Sequence, residues 1–509
     1  MSITPLLRLS GITKTFGPLK ANDDISLALA EGEMLALLGE NGAGKTTLMS
    51  ILFGHYVADG GSVEVLGRAL PPGSPRAALA AGIGMVHQHF TLADNMTVLE
   101  NIMLGTEPLW AFRRGSARAR AKLGSLMDRF RLRVDPDAKV RALSVGERQR
   151  VEILKVLYRD ARILILDEPT AVLTPQESDH LFATLRVLVD QGVAVIFITH
   201  KLREVMAASD RCVVLRHGRV VLETATKKTS AEELARAMVG ANIPQATRVT
   251  LAPGEEVLFM DRVCADAPDR GPGLRELRLS VRAHEILGIA GVSGNGQALL
   301  ADLLSGLVAP NGGSVVLRNQ AVSRLTPAAM IRSGVGRVPD DRTGTGLVAD
   351  MTVMENLSTE IYRLPGFSRR GMLNFKALAS RAAQLMDVFD IRCAGPDAPV
   401  RKLSGGNMQK LILARVLSQG PGLILANQPT WGLDVGAAAA VHQHLLDAAR
   451  RGAGIVLISE DLDELFELSD RIQVMYQGHL SGPENTVTVD RAKLGLMMSG
   501  QSFDKRGAA

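Results

Sequence analysis

The chain carries most of its motifs twice. Gly39-Glu40-Asn41-Gly42-Ala43-Gly44-Lys45-Thr46 is matched 252 residues later by Gly291-Val292-Ser293-Gly294-Asn295-Gly296-Gln297-Ala298. Met96-Thr97-Val98-Leu99-Glu100-Asn101 recurs after 255 residues as Met351-Thr352-Val353-Met354-Glu355-Asn356, and Leu143-Ser144 after 260 as Leu403-Ser404. The spacing of 260 then holds for Pro169-Thr170 with Pro429-Thr430, and for Ser209-Asp210-Arg211 with Ser469-Asp470-Arg471. Solenoid repeats have periods of roughly 20–50 residues, so a period this long means a duplicated domain. Residues 1–243 and 254–509 are expected to form the two copies, joined through Ala241 to Gly254, where Pro244, Pro253 and Gly254 interrupt regular structure.

Within each copy the first motif is the most informative. Gly39 and Gly44, with four residues between them and Lys45 and Thr46 following, let successive backbone N–H groups converge on phosphate oxygens; Lys45 can reach the β- and γ-phosphates, and the Thr46 hydroxyl can ligate Mg²⁺. Met34 to Leu38 before it reads as a buried strand and Thr47 to Leu52 after it as a helix. Strand patterns continue at Leu7–Ile12, Ile25–Leu29, Ser62–Val65, Ile83–Gln88, Arg162–Leu166 and Val193–Thr199, alternating with helical stretches. Polar residues follow the apolar strands: Gln88, Asp167-Glu168 and His200. This is the pattern of an α/β domain with its site along one edge of a mainly parallel sheet. Phe16 reads two ways, as a ring that stacks on adenine or as a core residue.

Composition bounds the remaining possibilities. A hydrophobic fraction of 46% with mixed charge is that of a globular protein, and no apolar run approaches the roughly 18 residues of a membrane helix. Met1 to Ser10 lacks the basic start and apolar core of a secretory signal, which predicts a cytoplasmic location. Cys212, Cys264 and Cys393 have no metal-ligand spacing and are read as reduced thiols. A net charge of +5 gives no argument for nucleic acid. Arg113, Arg114, Arg118, Arg120 and Lys122 form a basic cluster on an expected helix, read first as a solvated face, with anionic lipid headgroups as the sharper alternative.

The ordered set of motifs resembles the ATP-binding subunits of ABC transporters in the tandem form, over nearly the full length. It comprises the phosphate loop, Gln88, the signatures Leu143 to Gln149 and Leu403-Ser404-Gly405-Gly406-Asn407-Met408-Gln409, the strand ending Asp167-Glu168, and His200. The resemblance implies two tandem P-loop ATPase domains, each with a mixed, mainly parallel sheet core, an antiparallel β subdomain and a helical subdomain. It implies ATP and Mg²⁺ as cofactors. Gly39 to Thr46, Thr47 and Phe16 would hold ATP; Thr46, Gln88 and Asp167 would hold the metal. Glu168 would polarise the attacking water, with Lys45, Gln88 and His200 completing the γ-phosphate shell.

In the family two such domains pair head to tail, here within one chain, so each loop is completed by the opposite signature. A signature serine and glycines at a helix N-terminus offer N–H groups and the positive dipole end to phosphate. Lys45, Thr46, Gln88, Asp167, Glu168 and His200 would work with Ser404, Gly405 and Gly406, every part present. The other set is degenerate. Between Gly291 and Gly296 the glycines remain, but Gln297 replaces Lys, Ala298 the hydroxyl residue, Asn427 and Gln428 the acidic pair, and Asp340 and Glu460 stand at the positions of Gln88 and His200. Its signature, Ser144 and Gly146, has Val145 for the first glycine. Two acids near a terminal phosphate repel it unless Arg337 or Arg342 neutralises them, so one hydrolysing site and one regulatory or structural site are expected.

His87-Gln88-His89-Phe90 and Ile458-Ser459-Glu460-Asp461-Leu462 look most like importers of nucleosides, with simple-sugar importers as the alternative. The family implies two integral-membrane permease subunits seated near Gln88 and Asp340, an extracytoplasmic substrate-binding protein, no nucleic acid, and a peripheral place on the cytoplasmic face of the membrane. Ribosome-acting tandem ATPases would have two intact sites and a long charged linker. DNA-repair ATPases would carry cysteine pairs or coiled coils, and a sensor that binds ATP without turnover would not need Glu168 and His200.

Overall fold

Long apolar runs become the centre of a parallel sheet in each half because both faces of those strands are covered. In the computed structural model the chain divides into two compact units, Met1–Ile243 and Pro244–Ala509. The structure describes all residues except 1–4, 88–89, 107–115, 171–172, 174, 241–247, 249–250, 267–270, 323–325, 502 and 504–509. Gln88, Arg113, Arg114 and most of the expected join therefore lie outside the described residues.

The strands of the first unit are β1 (Leu7–Phe16), β2 (Leu19–Leu29), β3 (Met34–Gly39), β4 (Gly60–Val65), β5 (Arg68–Ala69), β6 (Ile83–Val86), β7 (Ile163–Asp167), β8 (Ala194–Ile198), β9 (Arg211–Arg216) and β10 (Arg219–Ala225). They form an antiparallel sheet of order β2-β1-β4-β5 and a second sheet of order β10-β9-β3-β8-β7-β6. In the latter, β9, β3, β8, β7 and β6 run parallel and β10 pairs antiparallel with β9. Every residue of β3 and β8 is buried. Helices α1 (Lys45–Phe53), α2 (Pro75–Ala80), α3 (Val98–Met103), α4 (Ser116–Phe130), α5 (Val145–Leu157), α6 (Pro175–Asp190), α7 (Leu202–Ala208) and α8 (Ala231–Val239) complete this unit. Strand β1 outruns the expected Leu7–Ile12 because bulges after Leu9 and Ile12 break its alternation while pairing with β2 continues.

The second unit repeats the plan. Its strands are β11 (Glu256–Ala265), β12 (Leu274–Arg282), β13 (Ile286–Ala290), β14 (Gly312–Leu317), β15 (Gln320–Ala321), β16 (Val335–Val338), β17 (Ser368–Arg369), β18 (Met372–Leu373), β19 (Leu423–Asn427), β20 (Gly454–Ser459), β21 (Arg471–Tyr476), β22 (His479–Leu480) and β23 (Glu484–Asn485). The antiparallel sheet has order β12-β11-β14-β15 and the main sheet β16-β19-β20-β13-β21-β22, with β23 also on β21 and β17–β18 as a separate hairpin. The helices are α9 (Gln297–Leu304), α10 (Pro327–Arg332), α11 (Val353–Ser358), α12 (Phe375–Val388), α13 (Gly405–Leu417), α14 (Val435–Arg450), α15 (Leu462–Leu468) and α16 (Arg491–Met498). Where the repeat spacing first widens, Arg342–Gly346 forms one π-turn.

Core contacts differ between the units, as at Phe182. Phe182 on α6 packs its ring edgewise on Phe197, centroids 5.2 Å apart. The residue 260 positions on is His442 of α14, buried, with Nε2 3.1 Å from Glu464 Oε1 and Nδ1 3.5 Å from Glu467 Oε2, both on α15. Burial opposes its charge, but the hydrogen bonds and charges of Glu464 and Glu467 win, and its pKa rises to about 9. Glu464 also accepts from Thr430 Oγ1 at 2.7 Å.

Two outcomes are expected. Because the folded-state pKa of His442 is raised above its ordinary 6.5, its contribution is complete below pH 6.5 and is lost as pH rises through about 9, on the order of 3 kcal/mol in all. Denaturant unfolding at pH 7 and pH 10 should show this loss in the wild type and not in His442→Phe; equal losses contradict it. At Gly44 (φ 99°) a Cβ would lie 2.2 Å from the Ala21 carbonyl oxygen. Gly44→Ala should therefore destabilise the first unit by about 1–3 kcal/mol in calorimetry, and an unchanged transition would contradict that.

Candidate nucleotide sites

In the first unit β3 ends at Gly39, and the chain turns through the loop into α1, whose N-cap is Gly44. Asn22, fully buried, donates Nδ2–H to the Gly44 carbonyl at 3.0 Å and fixes the loop's base, a role no local sequence signal marks. Lys45 is buried beneath the loop, its Nζ donating to the carbonyls of Gly39 (2.7 Å) and Glu40 (2.9 Å). Thr46 is exposed at the helix start. The cation is thus held at the site where phosphate charge would arrive.

The ends of the neighbouring parallel strands bring the acids to the same edge. Asp167 closes β7, Glu168 follows, and His200 lies just beyond β8. His200 Nδ1 is 3.2 Å from Glu168 Oε1. That hydrogen bond, opposed by burial, holds the Glu168 carboxyl below the usual carboxylate range. Asp167 is pushed up, first by burial and then by the charge of Glu168, while Lys45 pulls it down. Two crowded carboxylates beside one lysine form a site that a divalent cation would relieve, and the hard oxygen donors of Asp167 and Thr46 suit Mg²⁺. Glu168 has φ 45°, an unusual conformation for a side-chain-bearing residue, and its N–H donates to the Ile198 carbonyl at 3.0 Å.

Of the remaining expected residues in this unit, Phe16 is 42% exposed and meets Tyr56 edgewise at 5.5 Å, which excludes the core reading. His87, the described neighbour of Gln88, lines a cavity of about 160 Å³ with Met85, Thr91, Glu152, Lys155 and Arg159. On α4, Arg120 and Lys122 are paired with Asp137 and Asp160 at 2.6 and 2.9 Å, so those charges are neutralised within the unit.

The second unit keeps the frame and changes the chemistry. Gln297 takes the place of Lys45, donating to the Val292 carbonyl (2.9 Å) and accepting from the Asn295 N–H (3.1 Å). The loop is satisfied by a neutral amide, and Ala298 and Asn427 stand where the first unit has a hydroxyl and a carboxylate, so with no anionic ligand these residues do not fit Mg²⁺. Gln428 retains φ 46° and the N–H bond to the Ile458 carbonyl (2.8 Å). The Glu460 N–H lies 3.5 Å from Gln428 Oε1. Asp340 is exposed. Arg342 donates to the Trp431 carbonyl (2.7 Å), and Arg337 lies 4.0 Å from Asp302.

The two signatures also differ at one position of the helix cap, Glu147 in the first and Asn407 in the second. Ser144 caps α5, and its hydroxyl and N–H both donate to the Glu147 carboxylate, at 2.8 and 2.9 Å. The backbone N–H and hydroxyl of Ser144 hold that carboxyl below its usual range. Ser404 caps α13 and receives the amide of Asn407, a neutral partner, at 2.9 Å. A fixed negative charge therefore sits at the first signature helix and none at the second. The Ser-x-x-Glu spacing of a capping box could have revealed it.

A model of the ABC transporter family matches residues 22–171 and 274–431. The chain is 44% identical to the glucose import ATP-binding protein TsgD13 of Haloferax volcanii, over 98% of this chain and 96% of that protein. It is 42% identical to the nucleoside import ATP-binding protein NupA of Lactococcus lactis, over 99% of this chain and 100% of that protein. The guanosine import ATP-binding protein NupO of Bacillus subtilis is also 42% identical, over 99% of each chain. Among solved structures, the archaeal ribosome recycling factor aABCE1, in complex with stalk protein aP1, has a TM-score of 0.60 at 20% identity, over 93% of this chain and 90% of that one, a likeness of fold. With the family model matching in both halves and full-length relatives above 40% identity, this chain belongs to the ABC transporter family.

Proposed function

We propose that the chain is the ATP-hydrolysing subunit of an ABC importer and powers uptake of a nucleoside through a membrane permease. The observation that carries the enzymatic part is the convergence of Lys45, Asp167, Glu168 and His200 at one sheet edge of the first unit, with no equivalent chemistry in the second. Import of a nucleoside rests on the relatives named for nucleoside and guanosine import. Relatives named for glucose and ribose import support a simple sugar as the second reading. No helix among the described residues is long and apolar enough to cross a membrane, in keeping with a peripheral subunit that needs two permease chains and an extracytoplasmic binding protein. The cavity beside His87 is the proposed seat for a permease helix.

Hydrolysis in this reading needs little covalent help from the protein. Lys45 draws charge from the β- and γ-phosphates, and Glu168, ionised at neutral pH, takes a proton from water positioned with His200 and Gln88. Mg²⁺, held by Thr46 and Asp167 with Gln88, would supply further charge neutralisation at the phosphates. Ser404, Gly405 and Gly406 are proposed to complete this site, and the neutral cap on Ser404 favours them as a phosphate partner over Ser144 and Gly146, where Glu147 already fills the helix end.

Replacing Glu168 by Gln should lower steady-state phosphate release by the chain with its permease at least about 100-fold. Substantial residual turnover would contradict the assignment of hydrolysis to Glu168 of the first unit. For the substrate, the co-purified binding protein should gain thermal stability with nucleosides; stabilisation by pentoses or hexoses alone would favour the sugar reading.

A further inference from the structure

Residues 363–376 of the second unit form an exposed projection with cations and no acid: Arg363, Arg369, Arg370 and Lys376 are all exposed, and no Asp or Glu lies in the stretch. The backbone is well defined by pairing. Strands β17 and β18 match Ser368 with Leu373 and Arg369 with Met372, and the turn between them places Arg370 (φ 51°) and Gly371 (φ 81°) in the left-handed region that a tight hairpin demands. The Asn374 N–H donates to the Phe367 carbonyl at 2.8 Å, and the Asn374 side chain caps α12, so the hairpin is tied to a helix end. Beside the cations stand two large apolar side chains, Met372 at 74% and Phe375 at 60% exposure. Such residues are costly to leave in water without a partner.

The hairpin also has a definable side. Glu360, just before it, is bound by Gln419 (2.6 Å) and lies 3.4 Å from Arg415 on or beside the last turn of α13. The residues 260 positions earlier, Arg159 and Lys155, line the cavity proposed above to seat a permease helix. The hairpin thus follows the part of the second unit that corresponds by repeat spacing to the cavity-lining end of α5 in the first.

We propose that this hairpin is a membrane-surface contact: its four cations take anionic phospholipid headgroups, and Met372 and Phe375 enter the headgroup layer. The inference rests on the peripheral-subunit reading. Charge selects the lipid over the permease as occupant, because the cytoplasmic loops of membrane proteins are enriched in Lys and Arg and would repel the hairpin, whereas anionic lipid attracts it. Apolar side chains next to cations are the composition of interfacial anchors. The α4 cluster lacks this property at Arg120 and Lys122, whose charges are already paired.

Flotation of the purified full chain with vesicles of phosphatidylcholine, alone or mixed with phosphatidylglycerol, tests the proposal. The chain should partition to the mixed vesicles, with binding weakened by salt, and a paired Arg369→Glu, Arg370→Glu change should reduce it at least about tenfold. Paired Arg→Lys changes should retain binding, and Met372→Ser with Phe375→Ser should weaken it without altering ATP turnover. Equal binding to neutral and mixed vesicles, unchanged binding by the charge-reversed chain, or attachment only to neutral membranes that contain the permease would each overturn it. If vesicle binding followed charge while Glu168→Gln left turnover intact, the assignment of hydrolysis to the first unit would fall and the membrane contact would stand.

Discussion

The grip of the first loop on Lys45 is the interaction on which the asymmetry of the molecule depends. An ammonium buried against the carbonyls of Gly39 and Glu40 leaves one positive charge under a loop of backbone N–H groups, and brings it within electrostatic reach of Asp167 and Glu168. Gln297 satisfies the matching loop with the same economy of hydrogen bonds and no charge. The loop's hydrogen bonding is preserved and the positive charge is removed. Because the acids of the first unit are balanced by this lysine, their loss at Asn427 and Gln428 is the electrostatic counterpart of losing the lysine at Gln297.

The frame has outlasted the chemistry. Glu168 and Gln428 share a left-handed backbone and the same hydrogen bond to the next strand, although only one carries a carboxylate. The buried cores changed in kind as well: an aromatic pair at Phe182 and Phe197 corresponds to an ion-paired imidazolium at His442. The cost of burying that charge is offset only while both glutamates face it, so the second unit depends on a polar contact where the first depends on ring packing. On the proposed reading, divergence of this sort is open to a domain not held to catalysis.

Much of the fold was legible because parallel strands such as β3 and β8 are buried at every position, and Gly39, Asp167 and His200 lie at or just past the ends of β3, β7 and β8. The phosphate loop follows from local spacing, while Asp167-Glu168 and His200 stand out as polar residues after apolar strands and take their roles from the family resemblance. Features that depend on distant residues were not legible. Asn22 reaches Gly44 from an antiparallel strand, the bulges in β1 hide its continuation past Ile12, and the exposure of Phe16 follows from where its hairpin ends. Glu147 was legible in principle, as a capping box, but its meaning for an anion arriving at α5 emerges only from the hydrogen bonds of Ser144.

On the proposed reading, one half of the chain holds a metal–nucleotide complex and the other half has the frame without the ligands. Counting bound Mn²⁺ by electron paramagnetic resonance, with a non-hydrolysable ATP analogue at saturation, tests it most directly, since Mn²⁺ accepts the same hard oxygen donors as Mg²⁺. The account predicts a single nucleotide-dependent Mn²⁺ per chain, lost on Asp167→Ala. Two per chain, or one that survives Asp167→Ala, would contradict it.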